Sequence, residues 1–207
     1  MKKIFTLLAI CLFIGANAQD EAVDSKLIKN GFYVESFGGI VTTDFNKGDS
    51  GFGLKLGNVW YFGSSDLWRP GFKTVWFRGA TYFGDNGSTV QGSILNVGFA
   101  NIIEFKPNLG LEANINFGYN IIYSENRYTG GSDFIGGGMM FNPELKFRFN
   151  VLAVGLDFVF TKAREFGDDD DYDSYYDYNS NTYINYNDSI KRKVGLTAIN
   201  LSIGAKF

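Results

Sequence analysis

Apolar and polar residues alternate with a period of two along most of this chain, and the clearest stretch decides what element it forms. Leu109, Leu111, Ala113, Ile115, Phe117, Tyr119, Ile121 and Tyr123 alternate with Gly110, Glu112, Asn114, Asn116, Gly118 and Asn120. A strand places these sets on opposite faces, whereas a helix would scatter the asparagines around its circumference. The last stretch repeats the pattern, with Thr197, Ile199, Leu201, Ile203, Ala205 and Phe207 on one face. Ala198, Asn200, Ser202, Gly204 and Lys206 form the other. One face suits hydrocarbon and the other a wet or packed polar interior.

Eight segments of this kind are read, at about 30–45, 51–63, 71–83, 92–105, 109–123, 139–149, 151–162 and from 193 to the end. In the second, Phe52, Leu54, Leu56, Trp60 and Phe62 oppose Gly53, Lys55 and Gly57. The fourth sets Leu95, Val97, Phe99, Ile103 and Phe105 against Asn96, Gly98, Ala100 and Glu104. The third, with Phe72, Lys73, Trp76, Phe77 and Arg78, has an ambiguous phase. The connections at one end, 64–70, 106–108 and Asn150, include the two shortest. Those at the other, 46–50, 84–91, 124–138 and 163–190, include the two longest. Such asymmetry belongs to transmembrane barrels with short periplasmic turns and long outer loops, and an even strand number fits. The expected fold is all-β, an eight-stranded antiparallel up-and-down transmembrane barrel. A soluble lipocalin-like binding barrel is the rival, and it would turn its apolar face inward.

The N-terminus agrees with export. Lys2 and Lys3 precede an apolar core over 4–14, and Ala16-Asn17-Ala18 offers small residues for cleavage. The core is shorter than the ~20 apolar residues a membrane-spanning helix needs. Residues 1–18 are therefore expected to be a signal peptide, 19–29 a periplasmic tail and 30–207 the barrel. The mature chain would hold no cysteine, since Cys11 lies in the leader, and no histidine. Losing Lys2 and Lys3 leaves 17 Lys and Arg against 22 Asp and Glu, which argues against a nucleic-acid partner. Glycine is abundant at 26 residues and aromatics reach 17%, a mixture suited to closed β structure with aromatic membrane girdles.

With its leader, its repeated alternation, the Gly53-Leu54-Lys55-Leu56-Gly57 stretch and its terminal Phe207, the chain resembles the small outer-membrane β-barrel family. These are the OmpA/OmpX-like proteins and the "outer membrane protein beta-barrel" domain, and the resemblance covers about 30 to 207. It implies a cell outer membrane location and an assembly signal at Phe207, read by the barrel-assembly machinery. It says little of activity, because fold is not function.

No histidine is present to act as general base or to orient a nucleophile. Neither catalytic nor cofactor-binding residues are expected. Inward Glu35, Glu104, Glu112, Glu144 and Asp157 face Lys55, Lys146, Arg148 and Lys206, five acids against four bases. An eight-stranded barrel is only wide enough for its own side chains, and buried charges must pair. The set reads as a salt-bridged plug rather than an active site or a pore.

The 163–190 loop carries Asp168, Asp169, Asp170, Asp171, Asp173, Asp177 and Asp188 among six tyrosines. Ser174 and Ser180 stand where a calcium loop of EF-hand type would need glycine and glutamate, so no metal site is assigned. Lys162, Arg164, Lys191, Arg192 and Lys193 flank the loop and are candidates for the phosphates of lipopolysaccharide. The expected role is structural, adhesive or ligand-binding, through outer loops meeting an extracellular ligand or an envelope protein. A part in secretion or assembly is the alternative. The chain is expected to be monomeric.

Overall fold

A computed structural model describes residues 30–44, 47–62, 67–85, 87–106, 108–125, 133–166, 173–177, 182–186 and 192–207. The expected signal peptide and tail lie outside the described residues. Among the described residues there are ten strands: β1 (Gly31–Thr43), β2 (Lys47–Tyr61), β3 (Trp68–Gly84), β4 (Gly87–Lys106), β5 (Leu109–Ser124), β6 (Phe134–Phe149), β7 (Leu152–Glu165), β8 (Asp173–Asp177), β9 (Thr182–Tyr186) and β10 (Lys193–Lys206). Eight close into a barrel in the order β1-β10-β7-β6-β5-β4-β3-β2, and β8 and β9 form a separate two-stranded sheet.

Each barrel strand runs antiparallel to both neighbours, so the chain winds up and down. Closure falls between the first and last strands, with Tyr33 opposite Lys206 and Ile40 opposite Ile199. The Phe207 N–H donates to the Phe32 carbonyl at 2.8 Å, extending that ladder by one bond. Closure leaves the barrel sheet without an edge, which is the condition for a β structure in lipid.

Side-chain direction follows the alternation. Glu112, Asn114, Asn116 and Asn120 are buried inside, while Ile115, Phe117, Tyr119, Ile121 and Tyr123 face out. The outer wall carries Phe52, Phe83, Phe99, Phe141, Phe160, Ile199 and Leu201, all exposed. Aromatic pairs cross the strands there, with Phe141 5.5 Å from Phe117 and 6.1 Å from Phe160 between ring centres. An apolar outside around a charged inside reverses the pattern of the soluble rival.

Bulges explain the ambiguous third segment. Leu56 pairs with Phe77 and Gly57 with Val75, so Trp76 is an extra residue against β2. β4 also carries an extra residue against β5 between Ser93 and Val97, and Leu95 there takes φ 57°. The two insertions match, because Val75 opposes Asn96 and Phe77 opposes Ile94. Trp76, Phe77, Ile94 and Leu95 therefore all point outward, at 51%, 42%, 77% and 67% exposure. Lys73 and Arg78 have four residues between them, which would put them on opposite faces of a regular strand, yet both point inward and are buried.

The loop pattern needs correction at more than one place, and the connection expected at 46–50 lies instead between Thr43 and Lys47, because β2 already starts at Lys47. The connection expected at 84–91 shortens to the two residues between Gly84, where β3 ends, and Gly87, where β4 starts. The alternation at the start of β4 is hidden in the sequence because its outward positions there, Ser88 and Val90, include a polar residue. β6 likewise begins at Phe134 rather than 139, since Gly136, Gly137 and Gly138 have no side chains to alternate. Opposite, the turns use Asn108 and Asn150 at φ 69° and 55°, a left-handed conformation that asparagine tolerates.

Candidate functional site: the charged interior and the outer rim

Glu144 of β6 lies at the centre of the interior. Lys55 of β2 reaches it across the barrel at 2.5 Å, and Lys73 of β3 reaches its other oxygen at 2.7 Å. Lys146 also lies 2.7 Å from that oxygen, and the side-chain amides of Asn114 and Asn116 donate at 3.1 and 3.0 Å. β2 and β6 are opposite in the strand order, so the Lys55–Glu144 bond spans the lumen.

The network extends from there. Lys55 also contacts Glu35 at 2.9 Å and Asp157 at 2.8 Å. Lys146 lies 2.6 Å from Glu35. Arg148 pairs with Glu112, which also accepts from Tyr61 at 3.0 Å and from Asn114 at 2.6 Å. Arg78 approaches Asp157 at 3.4 Å, with its guanidinium 4.4 Å from the centre of the Phe37 ring. The Lys73 ammonium lies 4.4 Å over the Tyr33 ring. Glycine makes the room required: a Cβ on Gly155 would come within 2.6 Å of Cγ of Lys146. Four carboxylates engaged by cations and amides meet the condition for burying charge.

The structure brings together seven of the residues expected inside: Glu35, Lys55, Glu112, Glu144, Lys146, Arg148 and Asp157. Glu104 is different. It sits half-buried at the short-turn end, where a bulge interrupts β4, and accepts from the Asn108 N–H at 3.3 Å. Lys73 and Arg78 join the network instead, and sequence reasoning missed them because the Trp76 bulge blurs the phase of β3. Among the described residues, the linked pairs therefore join five cations to four carboxylates, reversing the expected excess of acid. Lys206 lies lower, its ammonium 4.8 Å over the Tyr61 ring.

The interior is layered by height. Above the charges, Gln91 donates to Tyr82, Tyr82 to Asn200, and Asn120 to Gln91, each at 3.0 Å. Still nearer the long-loop end comes an apolar cluster that includes Val41, Ile122, Phe134, Met140, Val159 and Leu196. A smaller one, of Val59, Tyr61, Ala100 and Ile102, lies toward the short turns.

At the outer rim, Lys162, Arg164 and Lys193 are exposed, and Arg164 opposes Lys193 across the β7–β10 ladder. Arg192 is used otherwise. It pairs with Glu165 through two nitrogens and donates to the Asp133 carbonyl at 2.8 Å, tying the bases of the two longest loops together. Its hydrogen bonds to Glu165 push the guanidinium up from its ordinary value. Lys191 and Asp168 to Asp171 lie outside the described residues.

The chain is similar in structure to small outer-membrane barrels, the class that its sequence resembles. Neisserial surface protein A superposes with a TM-score of 0.47 at 10% identity, over 86% of this chain and 99% of that one. Ail, the attachment invasion locus protein of Yersinia pestis, gives 0.44 at 12% identity over 86% and 97%. The outer membrane protein OprG of Pseudomonas aeruginosa gives 0.30 at 14% identity over 86% and 93%. No family model and no curated protein matches the sequence.

Proposed function

We propose that this chain is a non-enzymatic integral protein of the cell outer membrane, delivered by a cleaved signal peptide, whose plugged interior leaves its activity to the outer loops. The observation that carries this reading is the reversal of polarity, with exposed aromatic and aliphatic side chains around a buried charge network. Even the Trp76 indole N–H is satisfied within its own strand, by Thr74 Oγ1 at 3.0 Å, as a lipid-facing polar group requires. Lys55–Glu144 and Lys146–Glu35 bonds cross the lumen where a solute would have to pass. Lys162, Arg164 and Lys193 stand where lipopolysaccharide phosphates would meet the rim, with Lys191 beside them in sequence. The β8–β9 hairpin and the 125–133 connection supply the contact surface for a structural or adhesive role.

The test is the gel mobility of isolated outer membranes before and after boiling, for the intact chain and for one lacking Phe207. The reading requires a faster unboiled band that weakens on deletion, and no efflux of small solutes from vesicles containing the protein. A single unshifted band in the periplasmic fraction contradicts it.

A further inference from the structure

The reversed charge balance has a focus at Arg78. Its carboxylate contact, Asp157 at 3.4 Å, is long, and that carboxylate already receives Lys55 at 2.8 Å and the Asn142 amide at 3.1 Å. Arg78 is 1% exposed, and its Nε has no hydrogen-bond acceptor among the described residues. A guanidinium cannot shed its charge by losing a proton. Asn200 is fully buried beside Asp157 in the β7–β10 ladder, and its Nδ2 is also a donor without an acceptor. Its Oδ1 is held by Tyr82, which fixes the amide so that Nδ2 stays a donor into the lumen. Two unsatisfied donors thus flank Asp157, one in the charge network and one in the polar layer above it, beside linked pairs that join one cation more than carboxylates. Arg148 Nη1, a third such donor, lies with Glu112 toward the short turns. The amide oxygens without a donor, on Asn96, Asn114, Asn116 and Asn120, belong to the β4–β5 wall.

From this we infer that the barrel binds one monovalent anion of the halide class inside, between Arg78 Nε and Asn200 Nδ2. The anion accepts both hydrogen bonds and offsets the cation that the linked pairs leave in excess, which removes the cost of leaving that charge and two donors uncompensated. Phe37 covers one face of the guanidinium, so the anion meets its edge, where Nε lies. The site is a structural counter-ion site, closed above by the apolar cluster around Tyr82, Ile122 and Leu196.

The experiment uses the full chain folded in detergent micelles and crystallised from sodium bromide. The expected result is an anomalous bromide peak in contact with Arg78 Nε and Asn200 Nδ2. Water there without an anomalous peak overturns the proposal. Asn200→Asp supplies a fixed carboxylate at the same place and keeps the size of the side chain. It should fold, shift on heating as the parent does, and show no bromide peak. A bromide peak retained in Asn200→Asp would overturn it equally.

Discussion

The middle and the outer third of the interior solve the same packing problem in opposite ways. In the middle, Lys55, Lys73, Lys146 and Arg148 lie among Glu35, Glu112, Glu144 and Asp157. Toward the long loops, Val41, Ile122, Phe134, Met140 and Val159 fill the lumen as they would in a soluble core. Both regions are closed, yet they should fail differently. An apolar layer loses transfer and cavity energy locally when one residue shrinks. A charge layer loses far more when one partner disappears, because the others stay buried and uncompensated.

The largest effect is therefore expected for Glu144→Leu, which leaves Lys73 with Glu112 alone at 4.0 Å and unbalances Lys55 and Lys146. Urea unfolding of the micelle-folded protein should show a loss of about 3–5 kcal/mol. A loss no greater than that of an apolar truncation would break the distinction. Ile122→Val, in the apolar layer, should cost only about 0.5–1.5 kcal/mol in the same assay.

Between these extremes, the two-residue change Glu112→Leu with Arg148→Met should recover most of the loss caused by Glu112→Leu alone. An apolar pair of similar volume replaces a buried ion pair at little cost, whereas a lone Arg148 does not. Equal losses in the single and double variants would show that charge pairing is not what the middle layer stores.

The matched bulges allow a subtler comparison. Deleting Trp76 alone should disturb the β3–β4 register, since Trp76 and Leu95 are extra residues at the same height. Deleting both leaves two regular strands with Lys73, Arg78 and Asn96 still facing in. The double deletion should therefore be the more stable of the two, with an interaction of about 0.5–3 kcal/mol in the unfolding cycle. A single deletion as stable as the double would mean that the insertions are independent.

How far the sequence carried this depended on what alternation can report. Period two says which face a residue is on, and it placed β5, β7 and β10 with most of the charges, because those strands carry no extra residue. It failed where a bulge puts two outward residues in succession, which hid Lys73 and Arg78. It also failed where the outward set is partly polar, at Ser88 of β4, and where side chains are absent, at Gly136 to Gly138 of β6. Height along the barrel is a further blind spot. Glu104 and Glu112 share a face type, yet one reaches the rim and the other the core, and only the closed register separates them.

The most direct test of the account places Trp76 in lipid. A protein with Trp60 and Trp68 replaced by Phe, reconstituted into vesicles of lipids brominated at different depths along the acyl chain, keeps Trp76 as its sole tryptophan. The outward position of Trp76 predicts strong quenching of its fluorescence by bromines within the acyl-chain region, and little by an aqueous quencher such as iodide. Quenching by iodide without any effect of brominated lipid would contradict a lipid-facing outer wall, and with it the reading of this chain as a membrane barrel.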